Sequence, residues 1–203
     1  MSKSRSHLIA ITGQIGSGKS SFMKFLAEAY PTISSDEIVA ELLEKPGVIE
    51  KLKEIFGSEI LTMEGSVDKI KLSNLIFNDN QKRLLLEATL HPLVEAKIFE
   101  IIPTLNSKYC FIEVPLLFEV NWQDKFDKSV LVFSDETIIR KRLIKRGYDQ
   151  VMIKQRLSAQ LPLQSKLDLA DYVIYNNGTL EELKYLTKDF IKRLEKEHHV
   201  KDN

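Results

Sequence analysis

The chain has 203 residues, 43% of them hydrophobic and 29% charged, with lysine plus arginine equal to aspartate plus glutamate at 29 each. That length suits one domain with room for an inserted subdomain, and the even balance excludes a global field for nucleic acid or a membrane surface. Its single cysteine, Cys110, excludes an internal disulfide and lies in an apolar run that buries an inert thiol.

Met1 to His7 is polar and basic, and the apolar stretch Leu8 to Ile11 is too short for a signal peptide or a membrane span, so a cytoplasmic address is expected. Leu8 to Ile11 reads as a buried strand that runs into Gly13-Gln14-Ile15-Gly16-Ser17-Gly18-Lys19-Ser20. A helix with apolar residues at Phe22, Phe25, Leu26 and Ala29 follows over Ser20 to Tyr30, and Pro31 ends it. Gly-x-x-x-x-Gly-Lys-Ser between a strand and a helix is a specific phosphate-binding pattern. Glycines let consecutive N–H groups turn inward around an anion, and the helix dipole points at the same spot. Lys19 is expected on the β- and γ-phosphates and the Ser20 hydroxyl on Mg²⁺. Ser17 and Ser21 have weaker claims, as local hydrogen-bonding residues.

From about 37 to 106 no convincing strand occurs, and Leu42, Leu43, Leu52, Ile55 and Phe56 are helix-spaced, as are Leu86, Leu90, Leu93, Val94 and Phe99. This reads as a helical insertion between the second and third strands. Tyr109 to Val114, Ser129 to Phe133 and Tyr172 to Tyr175 read as further buried strands. Alternation with helices implies a three-layer α/β/α fold around a parallel sheet, with residues 1–36 and 107–203 as the nucleotide-binding core.

The segment 136–166 holds Arg140, Lys141, Arg142, Lys145, Arg146, Lys154, Arg156 and Lys166 against only Glu136 and Asp149. A basic lid there would neutralise charge on a transferring phosphoryl group. Arg142 and Arg146 are spaced to reach one triphosphate from one helix face. Asn176 to Gly178 follows the last strand on the carboxyl side of the sheet, where nucleotides bind, although Asn-Gly is also a plain turn signal. Thr179 is placed as the N-cap of a final helix with Glu181 and Glu182 in its first turn. The chain shows no Asn-Lys-x-Asp base-reading motif, so a small-molecule kinase fits better than a GTPase.

The ordered motifs resemble dephospho-CoA kinase from Ile9 to about Leu194. Thr12 to Ser20 is similar to the family's opening loop, with Gln14 at a permissive position. Ser34-Ser35-Asp36 stands where the family has Asp-x-Asp. Phe56-Gly57, Ile76-Phe77, Leu90-His91-Pro92, Val114-Pro115-Leu116-Leu117-Phe118-Glu119, Arg156 to Gln160 and Ala170-Asp171 complete the series. The resemblance implies phosphorylation of the ribose 3′-hydroxyl of dephospho-CoA by ATP with Mg²⁺, giving CoA and ADP. Another nucleoside, nucleotide or small-metabolite kinase is the alternative. The resemblance also implies ATP on the phosphate loop and the acceptor on the insertion.

Asp36 matches the family's catalytic base, and could equally cap the helix starting at Glu37. Glu113, at the end of the third strand, either holds Mg²⁺ through water or is a strand-end carboxylate. Leu116 and Glu119 belong to the run that would line the acceptor site, where Glu119 could equally cap a helix. His91 either touches acceptor phosphates or caps a helix beginning at Pro92. Arg142, Arg146, Asn176 and Gly178 are expected on ATP. The implied partners are small molecules, with no nucleic acid or membrane, for a monomer or small homo-oligomer.

Overall fold

The computed structural model describes residues 5–77 and 79–201. In chain order it runs β1 (His7–Thr12), α1 (Lys19–Leu26), β2 (Thr32–Ser34), α2 (Ser35–Leu42), α3 (Pro46–Phe56), α4 (Lys69–Phe77), α5 (Asn80–Ile101), β3 (Tyr109–Glu113), β4 (Lys128–Phe133), α6 (Glu136–Lys145), α7 (Gln150–Ser158), α8 (Leu163–Leu169), β5 (Tyr172–Tyr175) and α9 (Leu180–Lys201). The strands form one sheet in the order β2-β3-β1-β4-β5. β1 pairs in parallel with β3 on one side, Ile9 opposite Phe111, and with β4 on the other, Ile11 opposite Val130. Strand order therefore changes direction around β1, and the loop after β1 opens at the switch point where α/β sheets bind ligands.

All five residues of β3 are buried, as expected for a strand covered on both faces. Phe22, Met23 and Leu26 of α1 and Leu183, Phe190 and Leu194 of α9 pack against Ile9, Ile11, Phe111, Val130 and Ile174. At its start α9 carries a reciprocal cap: Glu182 N donates to Thr179 Oγ1 over 3.2 Å, and Thr179 N donates to Glu182 Oε2 over 2.8 Å. α1 ends at Leu26, short of Pro31. Tyr30 precedes that proline, where the α region is disfavoured, and its ring turns edge-on to Tyr109 at 5.4 Å.

Residues Ser34–Thr104 form a compact unit of their own, and the flanking described residues form the other. The smaller unit has its own core of Leu43, Val48, Leu52, Phe56, Ile60, Val67, Leu72, Leu86 and Leu90. It is helical apart from an isolated antiparallel bridge between Leu61 and Val67. Two sequence expectations fail here. α5 passes through Pro92 without stopping, so His91 lies inside a 22-residue helix and caps nothing. An interior proline loses one hydrogen bond and crowds the carbonyl four residues back, at about 3 kcal/mol, and the buried residues Leu86, Leu90, Val94 and Ile98 on both sides of it hold the helix against that cost. Asp36 is not the cap of α2 either: Ser34 is, accepting a 3.3 Å bond from Glu37 N, while Asp36 is exposed in the first turn.

Candidate active site

The loop from Gly13 to Gly18 is shaped by backbone sterics that only glycine meets at two points. Gly13 has φ +150°, and a Cβ there would lie 2.4 Å from the carbonyl oxygen of Val132. Gly18, the residue before α1, has φ +99°, and a Cβ would lie 2.1 Å from Asn176 Nδ2. Both glycines thus permit a positive φ and a close approach at once. Lys19 folds back over the loop, its Nζ donating to Gly13 O at 2.8 Å with Gln14 O at 3.5 Å. Ser20 is exposed, Ser21 is half-buried, and the buried Ser17 hydroxyl has no hydrogen-bond partner among the described residues.

Around the loop stands a frame of side chains from three other elements. Asn176 is buried, and its Nδ2 donates to Ser17 O over 2.7 Å. Ser134, just after β4, is also buried. Its hydroxyl lies 2.5 Å from Asn176 O and 3.1 Å from Ser17 O. Arg142, from α6, donates Nη1 to Ser134 Oγ at 2.9 Å and to Ser17 O at 3.3 Å, and Nη2 to Asn176 O at 3.1 Å and Gly178 O at 3.4 Å. The fork geometry of the guanidinium lets one side chain bridge the phosphate loop and the β5–α9 loop. Burial, and then the like charge of Arg146, pull the Arg142 pKa down. It remains a cation at neutral pH.

Arg146, the C-cap of α6, is exposed while Arg142 is half-buried, and their charges lie close enough to interact. Gly178 is exposed, and with Tyr175, Asn176, Glu182 and Leu183 it lines an open cleft of about 310 Å³. Glu113 ends β3 and is buried. Thr12, which ends β1, donates from Oγ1 to Pro115 O at 3.1 Å and so ties the phosphate strand to the Pro-Leu-Leu-Phe-Glu turn.

Leu116 in that turn is half-buried. Glu119 caps no helix: its Oε1 pairs with Lys166 Nζ at 2.7 Å and accepts Leu161 N at 3.0 Å. Lys166 is fully buried, so it is a lysine of the core rather than one of the solvent-facing lid cations. Segment 136–166 folds around Ile139, Leu143 and Ile153, against which Ile15 of the phosphate loop packs with Tyr148 and Leu157. Its other cations are partly engaged: Arg140 pairs with Glu136 at 2.6 Å, and Arg156 lies over the Tyr148 ring at 5.2 Å.

In the smaller unit, Asp36 is exposed at the start of α2 and His91 is half-buried in α5. Burial lowers the His91 pKa, and Glu87 works against that shift.

Sequence reasoning missed Ser134, Gln160 and Lys166 as parts of the frame. A lone serine after a strand carries no pattern. Lys166 was hidden inside a run of charges, and only burial distinguishes it.

The family model described as dephospho-CoA kinase matches residues 7–182. The chain belongs to the dephospho-CoA kinase family. It is 39% identical to a dephospho-CoA kinase of Oceanobacillus iheyensis over 188 residues, 87% of this chain and 92% of that one. Among solved structures it is similar to a Thermus thermophilus protein, with TM-score 0.82 and 31% identity over 94% of this chain and 99% of that one. A dephospho-CoA kinase from Campylobacter jejuni gives TM-score 0.70 and 26% identity, covering 94% and 98%. The dephospho-CoA kinase match takes in the phosphate loop, the insertion and the basic segment in a single span.

Proposed function

We infer that this protein transfers the γ-phosphoryl group of ATP to the ribose 3′-hydroxyl of dephospho-CoA, giving CoA and ADP, the last step of CoA biosynthesis. The observation that carries this reading is the family match over 7–182 on a chain whose glycine loop is built to hold a phosphate. ATP is the co-substrate, with its phosphates on residues 13–21 and its adenine against the Asn176–Gly178 loop. Lys19 leaves the Gly13 carbonyl for the β- and γ-phosphates, where its charge stabilises the negative charge gathering in the transition state. Arg142 supports the same loop, and Arg146 supplies a cation from the end of α6.

The residues present fit Mg²⁺ as the partner of ATP. Ser20 offers an exposed hydroxyl and Glu113 a carboxylate, both hard oxygen donors. Among the described residues no group of three or more His, Cys, Asp and Glu could hold a metal, which suits a cation held mainly by phosphate and water. When bound, it would neutralise phosphate charge.

Asp36 is the residue assigned to orient and deprotonate the acceptor hydroxyl. Its match to the family's Asp-x-Asp and its exposure support that role, and the Ser34 cap removes the structural alternative. The insertion, with His91, and Leu116 of the turn are assigned to the acceptor. A monomer or small homo-oligomer is expected, to be read by light scattering.

A coupled ADP-release assay with dephospho-CoA and a panel of nucleosides, nucleotides and sugars tests the reading. Dephospho-CoA should be the best acceptor by kcat/KM, and a better acceptor in the panel would overturn it.

A further inference from the structure

Three residues outside the phosphate loop converge on it through the turn between α7 and α8. Glu119 Oε1 forms an ion pair with Lys166 Nζ at 2.7 Å and accepts the N–H of Leu161 at 3.0 Å. The residue before Leu161 is Gln160, and its Oε1 accepts the backbone N–H of Ile15 at 3.3 Å. One turn is therefore pinned to the Pro-Leu-Leu-Phe-Glu segment by a carboxylate, and hands a carboxamide to the phosphate loop in the next residue. Lys166 is fully buried, and its Glu119 partner has a side chain only 14% exposed.

A buried ion pair gains little over apolar side chains of the same size. A reason for charge here lies in direction: a carboxylate accepts the Leu161 N–H, and a leucine in its place could not. Leu157 and Ile15 share the small core of α6 and α7, so the same segment holds the loop apex by packing as well. With the Ile15 N–H engaged from outside, the apex is held in shape before any anion arrives, which lowers the ordering cost of binding.

We propose that Glu119, Lys166 and Gln160 are positioning residues for the phosphate loop: the buried pair fixes the α7–α8 turn, and Gln160 carries that placement to Ile15. The proposal rests on the reading that the loop binds ATP.

ATP titration by calorimetry on the full chain, with melting temperature and steady-state kinetics alongside, tests it. Gln160→Ala should weaken ATP binding about 3- to 10-fold, the size of one net hydrogen bond, while the melting temperature holds. The rise in KM for ATP should exceed any fall in kcat. Lys166→Met alone strands a buried carboxylate and serves as a folding control. The double variant Glu119→Leu with Lys166→Met restores an apolar match and should melt near the wild type, yet bind ATP about 3- to 10-fold more weakly. Adding Gln160→Ala to it should cause no further loss, because residues acting through one tie are not additive.

Wild-type affinity in either Gln160→Ala or the double variant would overturn the proposal. So would losses that multiply in the triple variant. Gln160→Ala decides the matter even where the double variant fails to fold. The titration needs no acceptor. A wild type that binds ATP but leaves dephospho-CoA unphosphorylated would overturn the functional reading alone, and a wild type without ATP affinity would overturn both.

Discussion

The side-chain amide of Asn176 donates to the main-chain carbonyl of Ser17 over 2.7 Å, so the loop after the last strand holds the phosphate loop from below. An Asn-Gly turn after a strand is common, but a buried carboxamide pointing at another loop's backbone has a definite job. Asn176→Ala should leave the Ser17 carbonyl to Ser134 and Arg142 and cost about 0.5–1.5 kcal/mol, the net worth of one hydrogen bond. For a chain of this length that is a melting shift of roughly 2–4 °C per kcal/mol. Nucleotide affinity should fall in the same variant. Unchanged melting and affinity in thermal and calorimetric titrations would mean the bond is incidental.

Arg142 and Arg146 should separate when each is changed to alanine. Arg142 bridges four acceptors on two loops and the Ser134 hydroxyl, so its loss should lower both melting temperature and ATP affinity. Arg142→Lys should not rescue it, because an ammonium cannot span a fork of acceptors. Arg146 is exposed, and its removal should stay within about 0.5 kcal/mol in stability while turnover drops. Equal melting losses in the two variants would contradict this division.

Asp36→Asn should reduce single-turnover transfer from ATP to dephospho-CoA by about 10²–10⁴, the usual cost of removing a general base. Melting should not change, because the helix is capped by Ser34 and Asp36 is exposed. Ser34→Ala should show the opposite pattern, a stability loss near 1 kcal/mol from the missing cap with the chemical step kept. A variant at Asp36 within about threefold of wild type, well below the general-base range, would move the base elsewhere.

His91 sets a pH dependence whose sign follows from burial. Its folded pKa lies below the ordinary value of 6.5 because burial disfavours the imidazolium. The unfolded chain therefore binds a proton first as pH falls through 6.5. Its contribution is present above that pH and is lost as acidity increases toward the folded pKa. His91→Gln should flatten the fall in melting temperature below pH 6.5. An unchanged acid slope would assign the loss to other groups.

The phosphate loop was legible because its glycine spacing reflects a local requirement, the positive φ at Gly13 and Gly18. β3 and β4 were legible because burial on both faces demands apolar side chains, whereas Tyr172 to Tyr175, read as a buried strand, lies at the sheet edge with only Ile174 buried and Tyr175 exposed. Helix ends were less so. Pro92 looked like a start, and only the packing of residues on both sides shows why α5 continues. The cap of α2 fell two residues earlier than the carboxylate suggested, since serine and aspartate compete for that position on equal terms. Lys166 stands in a run of charges and Gln160 ends the family-like stretch Arg156 to Gln160, but neither signal says what the side chain touches. Their partners, Glu119 and Ile15, lie far away in the chain, and periodicity cannot report contacts of that kind.

Cys110 sits in β3 opposite Leu8, with no exposed surface, and burial pushes its thiol pKa up to about 12. A thiol reagent needs the thiolate and a path to it, and both require the central strands to part. As the sole cysteine of the chain, it turns alkylation into a clock for the breathing of the sheet. The proposed ATP site exists only while the sheet is intact, so ATP should slow that clock by a factor of 1 + [ATP]/Kd.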